Sequence, residues 1–549
     1  MRLSRPVIGS VALSALTAAY ILFVTNGTFW AKALAYFGGH PDALVMFGAG
    51  LFALFLAGLT TFSVKYLVKP LFILLVLIAA AASYYTDTFG TLIDRQMIQN
   101  ILLTTPGEAR HLITPDMARH LLLYGLLPAA FIAAVRVRHR PFLSKVRRNS
   151  LVIFPALLLA IGIVFANYQA FSGTFRAHRD LMASLNPVAP IGAAIRYAER
   201  LTRERNIVAE PLGLDARQSE RVATSLKPVV TVFVVGETAR AQNFGLAGYA
   251  RDTTPELRAL NVASFNAVSS CGTSTAVSVP CMFSVYPRAD YTEPKALATQ
   301  NLTDVLSHAG LSVAWYDNDT GSMQVADRMA YEFLPAKPDD RYCEGGECLD
   351  DVLVNRLAVA LDAIKGNSVI VLHQLGSHGP AYSARYPASF ERFKPACHTS
   401  QFADCTREEI VNAYDNTIAY TDHILAEAIR LLDSRQDLAT NLLFVSDHGE
   451  SLGENGLFLH GAPYFMAPET QTHVPMIAWF SPAYASLVGL DRGCVRNLED
   501  APLSHDNVFH TMLGLSEVST AAYQPALDMF AACRGRPGGT VAQLPEQRS

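Results

Sequence analysis

The first 270 residues contain no cysteine; all eight lie between residues 271 and 533. None is spaced Cys-x-x-Cys, which argues against a zinc ribbon. An even number confined to one part of the chain reads as disulfides in an oxidising compartment. The economical pairing joins Cys271 to Cys281, Cys343 to Cys348 and Cys397 to Cys405, and leaves Cys494 for Cys533. Charge is also sparse, at 17% of residues against 50% hydrophobic, with a mean hydropathy of +0.21. That is too apolar for an ordinary soluble protein and too charged for a pure membrane bundle. A net charge of −4 gives no footprint for a nucleic-acid partner.

The apolar character is concentrated before about residue 171. Five segments, roughly 7–25, 43–63, 66–85, 118–135 and 151–171, each approach the ~20 residues that cross a bilayer. Segment 7–25 lacks a clear small-x-small cleavage site and is read as a retained anchor. Arg2 and Arg5 precede it, Lys65 lies between the second and third segments, and Arg136, Arg138, Arg140, Lys145, Arg147 and Arg148 fill the loop between the fourth and fifth. Positive residues stay inside, so the N-terminus is expected in the cytoplasm and everything after residue 171 outside. The cysteines, an independent set of residues, agree. The external loop 86–117 reads as an interfacial helix in which Asn100 and Thr104 share a face, with Pro106-Gly107 ending that helix just before Glu108.

Residues 172–228 are polar and basic, with Arg176, Arg179, Arg196, Arg200, Arg203 and Arg205. They read as a bridge containing an amphipathic helix over 190–204. From 229 onward, β-branched runs at 229–235, 312–316, 368–372 and 441–445 alternate with helical stretches at 301–309, 350–364 and 408–432. Buried strands alternating with helices indicate an α/β sandwich with a mostly parallel sheet. The tail from residue 534, rich in Gly, Pro and Gln, is expected to be disordered.

In such folds functional groups gather beyond the C-terminal ends of strands. Glu237 follows the first run, and Asp447-His448 the fourth. Ser377-His378 comes a short step after 368–372, and His460 lies beyond a Gly-rich turn. In Cys271-Gly-Thr-Ser-Thr-Ala-Val-Ser-Val-Pro-Cys281, Thr275 sits about where a helix would begin. It is either an N-cap in a disulfide-tied loop or a nucleophile facing the free N–H groups of a helix start. Glu237, Thr275, Asp447 and His448 together offer three oxygens and one nitrogen, a set suited to zinc, with manganese as the alternative. His378 and His460 then remain for proton transfer or for binding a phosphate.

These stretches, with Val235-Gly-Glu-Thr-Ala-Arg240, Ser377-His-Gly-Pro380, Ser446-Asp-His-Gly-Glu-Ser-Leu-Gly-Glu-Asn-Gly456, His460-Gly461 and Ser504-His-Asp-Asn507, resemble the phosphoethanolamine transferases of Gram-negative bacteria. That family includes the lipid A-modifying and mobile colistin-resistance enzymes, within the alkaline phosphatase/sulfatase superfamily. The resemblance spans nearly the whole chain. It implies a five-helix membrane domain (1–171), a bridge (172–228) and a periplasmic catalytic domain (229–533). It also implies Zn2+ on Glu237, Thr275, Asp447 and His448, one ion held tightly and a second left open, with Thr275 as nucleophile. His378 and His460 match the substrate-phosphate histidines; Asn100, Thr104 and Glu108 match positions that bind the ethanolamine head group. The implied reaction moves phosphoethanolamine from phosphatidylethanolamine to lipid A of lipopolysaccharide in the bacterial inner membrane. It lowers sensitivity to polymyxin, and a monomer is expected. Pro106-Gly107 interrupts the loop helix, and Met323 stands where lipid A-modifying members usually carry a lysine. Competing readings are transfer to core heptose, periplasmic glucan or protein, a membrane-anchored phosphodiesterase or phosphoglycerol transferase, and a non-enzymatic receptor. A sulfatase is disfavoured, because 271–281 lacks Cys/Ser-x-Pro-x-Arg.

Overall fold

A computed structural model describes residues 5–178, 180–204 and 207–535. Arg2, Arg179, Arg205 and residues 536–549 of the expected tail lie outside the described residues. The chain forms two compact units. One comprises residues up to 101 together with 113–200; the other comprises 102–112 and everything from 201.

The first unit is helical. Among the described residues, four helices are long and apolar enough to cross a membrane: Pro41–Thr61, Val68–Phe89, Pro115–Ala134 and Phe142–Ala166. A fifth span is completed only by the pair Ser10–Val24 and Gly27–Tyr36, which is bent by 68°. Asn26 explains the bend. Its buried amide donates to Ile21 O at 2.8 Å and to Asn186 O at 2.9 Å, and its Oδ1 accepts from Asn186 N at 2.8 Å. Backbone groups freed at a helix break are thus re-satisfied, as an apolar solvent demands. Pro128 perturbs the fourth span in the same way. It cannot donate to Tyr124 O; the preceding turn, Leu121–Leu126, widens to a π-helix, and Tyr124 O accepts from the Tyr20 hydroxyl at 2.7 Å. The fifth span starts at Phe142, so Lys145, Arg147 and Arg148 belong to its first turns rather than to a loop. It packs on Pro41–Thr61 through the small residues Ala53, Ala57, Ala156 and Ala160. Val7–Gly9 and Arg136–Arg138 pair in parallel, with Arg136 N on Pro6 O at 2.9 Å, and Lys145 Nζ donates to Ser63 O. Three basic stretches therefore collect at one end of this unit.

The loop helix is two helices, Arg95–Leu103 and Pro106–Leu112. Thr104 lies beyond the end of the first, so it does not share a helical face with Asn100. Thr105-Pro-Gly-Glu108 starts the second as a capping box: Glu108 N donates to Thr105 Oγ1 at 3.3 Å and Thr105 N to Glu108 Oε2 at 3.4 Å. Pro106 is thus an initiator, in the first helical position where its missing N–H costs nothing.

The second unit is built on an eight-stranded sheet. In chain order its strands are β1 Val229–Gly236, β2 Ala263–Ser269, β3 Ser312–Asp317, β4 Ala330–Phe333, β5 Ser368–His373, β6 Ala439–Ser446, β7 His473–Phe480 and β8 Leu503–Ser504. Their order across the sheet is β8-β2-β7-β6-β1-β5-β3-β4. Only β7 runs against the others. The central strands β1, β5 and β6 are buried along their whole length. Helices such as Leu302–His308, Asp351–Asp362 and Arg407–Ser434 connect the parallel strands. The core gathers Phe233, Phe265, Phe283 and Trp315. Four disulfides, 271–281, 343–348, 397–405 and 494–533, all lie in this unit. Order persists past residue 533: Arg534 is ion-paired to Asp528, and Gly535 N donates to Gly489 O at 3.0 Å. The expected tail therefore does not begin at 534.

Candidate active site

Strand register sets the site. Gly236 of β1 pairs with Ser446 of β6, so Glu237 and Asp447 leave the sheet side by side. His373, the last residue of β5, pairs with Val235 of β1 and Asp317 of β3. Just past this edge the backbone is held tightly. Thr238 has φ 61, a left-handed conformation costing about 1 kcal/mol or more in a β-branched residue. It is kept there by Thr238 N on Asp447 Oδ1 at 3.2 Å and Ala239 N on Ser446 Oγ at 2.8 Å. Gly376, at φ 52, lets the loop before His378 fold onto Glu237; a Cβ there would lie 2.6 Å from Glu237 O. The buried Asp350 carboxylate accepts from Leu375 N at 2.9 Å and Gly376 N at 3.0 Å, fixing that loop.

Thr275 opens the helix Thr275–Met282, and the Cys271–Cys281 disulfide ties that helix to the preceding turn. Its Oγ1 donates to Glu237 Oε2 at 3.1 Å and lies 3.5 Å from His448 Nε2. His448 Nε2 is 3.4 Å from Glu237 Oε1 and 3.3 Å from Asp447 Oδ2. The four residues from three separate stretches thus converge. Thr275 retains 8% exposure, whereas Glu237, Asp447 and His448 have 1% or less, so the hydroxyl is the member nearest an opening.

The electrostatics call for a cation. Burial, reinforced by the Asp447 and Asp319 charges, pushes Glu237 well above the usual carboxylate range. Burial takes Asp447 to about 7. Asp447 Oδ2 is fully buried with no hydrogen-bond partner among the described residues. Burial also drives His448 far below its ordinary value, leaving a neutral ring. Its Nδ1–H donates to Gly449 O at 2.9 Å, so Nε2 is free to ligate. Two carboxylates and a neutral imidazole with ligand atoms within 4.8 Å of one another, and a hydroxyl 3.1 Å from one and 3.5 Å from another, fit a zinc-type ion by donor chemistry and by the orphaned oxygen.

The other two histidines line the same opening. The His460 ring centroid lies 4.4 Å from that of His448 and 5.4 Å from that of His378. His460 Nδ1–H faces Glu450 Oε2 at 2.9 Å. Burial opposes its charge, but Glu450 prevails and raises its pKa. Burial lowers His378 strongly, and its Nε2 stands 3.4 Å from Glu108 Oε1. Burial, with the Asp319 charge, raises Glu108 to about 7. Thr104 and Glu108 belong to this unit and Asn100 to the helical one. Met323, at φ 50, packs partly buried against the core and offers no charge.

Residues 51–202 match the family described as "Phosphoethanolamine transferase EptA/EptB", and residues 230–518 match "Sulfatase". Phosphoethanolamine transferase EptA of Escherichia coli K12 is 38% identical over 543 residues, covering 97% of this chain and 98% of its own. This chain belongs to the EptA family of phosphoethanolamine transferases. Phosphatidylethanolamine transferase Mcr-1 from Escherichia coli is 35% identical over 488 residues, 87% of this chain and 88% of that one. The structure of the integral membrane lipooligosaccharide phosphoethanolamine transferase A (EptA) from Neisseria meningitidis superposes with a TM-score of 0.93 at 38% identity. The match covers 97% of this chain and 100% of that one.

Some groups in this EptA-family site escape the sequence patterns. Asp317 and His373 are strand-end residues of the same kind as Glu237, but each lies one position beyond the apolar run that marks its strand. Asp319 follows two residues later. Arg385 and Glu347 touch His378 and its neighbours, and only their buried ion pair identifies them; Glu450 stands in the Ser446–Gly456 stretch, but its pairing with His460 is seen only in the structure.

Proposed function

We propose that this chain transfers phosphoethanolamine from phosphatidylethanolamine to a lipid A phosphate, through a covalent adduct on Thr275, at the outer face of a bacterial inner membrane. The observation that carries the reading is the Thr275 hydroxyl, at the start of a helix, within 3.5 Å of Glu237 and His448. The words phosphatidylethanolamine and lipooligosaccharide in the relatives' names support the donor and the acceptor. The basic end of the helical unit and the four disulfides support a cytoplasmic N-terminus and a periplasmic catalytic unit.

Zinc on Glu237, Thr275, Asp447 and His448 supplies, when bound, a lowered hydroxyl pKa and positive charge facing the phosphoryl oxygens. Thr275 Oγ1 attacks the donor phosphorus, its proton leaving by way of Glu237 Oε2, to which it is hydrogen-bonded. The O–P bond to Thr275 forms, and the bond to the diacylglycerol oxygen breaks. His460, oriented by Glu450, gives that oxygen a proton. Free N–H groups of the helix start face the phosphoryl oxygens. His378 orients the phosphate, and Thr104 and Glu108 take the ethanolamine ammonium. An oxygen of the acceptor phosphate then attacks the same phosphorus and releases Thr275, so the kinetics are ping-pong. The product gains an ammonium beside an anionic phosphate, and cationic peptides such as polymyxin bind the surface less well.

Mass spectrometry of lipid A from cells expressing the chain is expected to show a phosphoethanolamine increment, absent with Thr275→Ala. A phosphoethanolamine-bearing Thr275 peptide is expected when acceptor is lacking. Transfer by Thr275→Ala eliminates the nucleophile. An increment on core sugar with unmodified lipid A redirects the acceptor, a comparison made pointed by the uncharged Met323.

A further inference from the structure

Beside Glu237, on strands the Thr275 site does not use, a second set of ligand atoms converges. Atoms of Glu237, Asp319 and His373 lie within 4.8 Å of one another, all buried. The histidine is prepared by its neighbour. Asp317 Oδ2 accepts from His373 Nδ1–H at 3.0 Å and from Trp315 Nε1–H at 2.8 Å. Asp317 Oδ1 accepts from Asp319 N at 3.0 Å and Gly321 N at 3.1 Å. Held by four donors, the Asp317 carboxylate keeps a proton on His373 Nδ1 and aims Nε2 at Asp319. His373 is fully buried, and its Nε2 has no hydrogen-bond partner among the described residues. Its distance to Asp319 Oδ2 is 3.8 Å. That is too long for an imidazolium–carboxylate hydrogen bond of about 2.8 Å. It is of the size a shared ion needs, since two ligand atoms about 2.1 Å from one tetrahedral zinc stand roughly 3.4 Å apart.

We propose that Glu237, Asp319 and His373 form a second divalent-cation site, which takes Zn2+ or Mn2+ and shares Glu237 with the Thr275 site. Two carboxylates and one imidazole suit either ion. Asp317 is the orienting partner, not a ligand. The inference rests on the reading of the first site, because Glu237 serves both. A shared carboxylate ties the two cations together and keeps Glu237 ionised in a buried setting. The rival occupant of the gap is a proton, giving a locked imidazolium and a single cation per chain.

The test is metal content of the full-length protein in detergent, stripped with chelator and dialysed against zinc or manganese chloride. The wild type is expected to hold about two equivalents, and Asp319→Asn and His373→Gln about one each. Anomalous scattering from wild-type crystals, which requires no variant, is expected to peak between Asp319 and His373. One equivalent in the wild type overturns the second site and leaves the first standing. So does an undiminished content in both variants, or a second peak placed elsewhere, as between His378 and His460. No bound metal in the wild type sinks both sites.

Discussion

His505 bridges the nucleophile turn to the end of β6. Its Nδ1 accepts from Cys271 N at 3.0 Å, and its Nε2–H donates to Ser446 O at 3.0 Å. Only the neutral ring can do both. Burial therefore brings its pKa down from 6.5 to about 4. A folded pKa below the unfolded one means that this stabilisation is complete above pH 6.5 and is lost as pH falls through about 4. The span corresponds to about 3 kcal/mol. His505→Gln is expected to flatten the dependence of melting temperature on pH between 6.5 and 4 and to lower activity at neutral pH, since Thr275 lies four residues from the pinned amide. An unchanged pH profile in the variant counts against the bridge. The sequence pointed to Ser504-His-Asp-Asn507 only through family likeness, because nothing local distinguishes a histidine that accepts from a distant amide.

At the scale of elements, the hairpin Cys343–Glu344 and Glu347–Cys348 holds the helix that carries Glu108. Its turn, Gly345-Gly346, has φ 64 and 96, as a tight two-residue connection requires. Glu347 Oε2 meets His111 Nε2 at 2.8 Å and Arg385 Nη1 at 2.9 Å. Gly345 O accepts from Arg110 Nη1 at 3.3 Å. Burial opposes the Glu347 charge, but His111 and Arg385 prevail and bring it down to about 2. Glu347→Gln weakens two charge-assisted contacts, a loss of about 2 kcal/mol. We expect faster hydrogen exchange across 106–112 and a roughly tenfold rise in KM for the donor, with the metal content of the Thr275 site unchanged. Equal exchange rates in wild type and variant would show that the hairpin is not what holds Glu108. This clamp pairs residues 236 positions apart, so no local pattern announces it. The capping box that starts its helix is present in the sequence as Thr105-x-x-Glu108, but Pro106-Gly107 is equally the signature of a helix end, and the backbone decides for a start.

For the whole molecule, the two units carry different chemistry. One holds the apolar helices with their basic residues at one end, and the other holds all four disulfides. Among the described residues no cysteine is free. If the second unit lies in the periplasm, as proposed, trypsin added to intact spheroplasts is expected to degrade residues beyond 201 while leaving a membrane-embedded fragment of the first unit. Thiol labelling without reductant is expected to find no reactive cysteine. Full protection in spheroplasts, with cleavage only after lysis, reverses the orientation.

Four of the eight strands, the apolar spans, the cysteine pairs and the four residues around Thr275 were readable from the chain, because burial periodicity and strand-end polarity are local properties. Strand neighbours were not. β2 mixes Ser and Asn with its apolar residues, and β7 runs against the sheet, choices made by pairing rather than by pattern. Whether a span is straight depended on where Asn26 and Tyr20 found partners. Asp319 and His373 became neighbours only through the register of β3 and β5. A buried polar atom takes its role from what the fold leaves unpaired around it, and that is decided by contacts far apart in the chain.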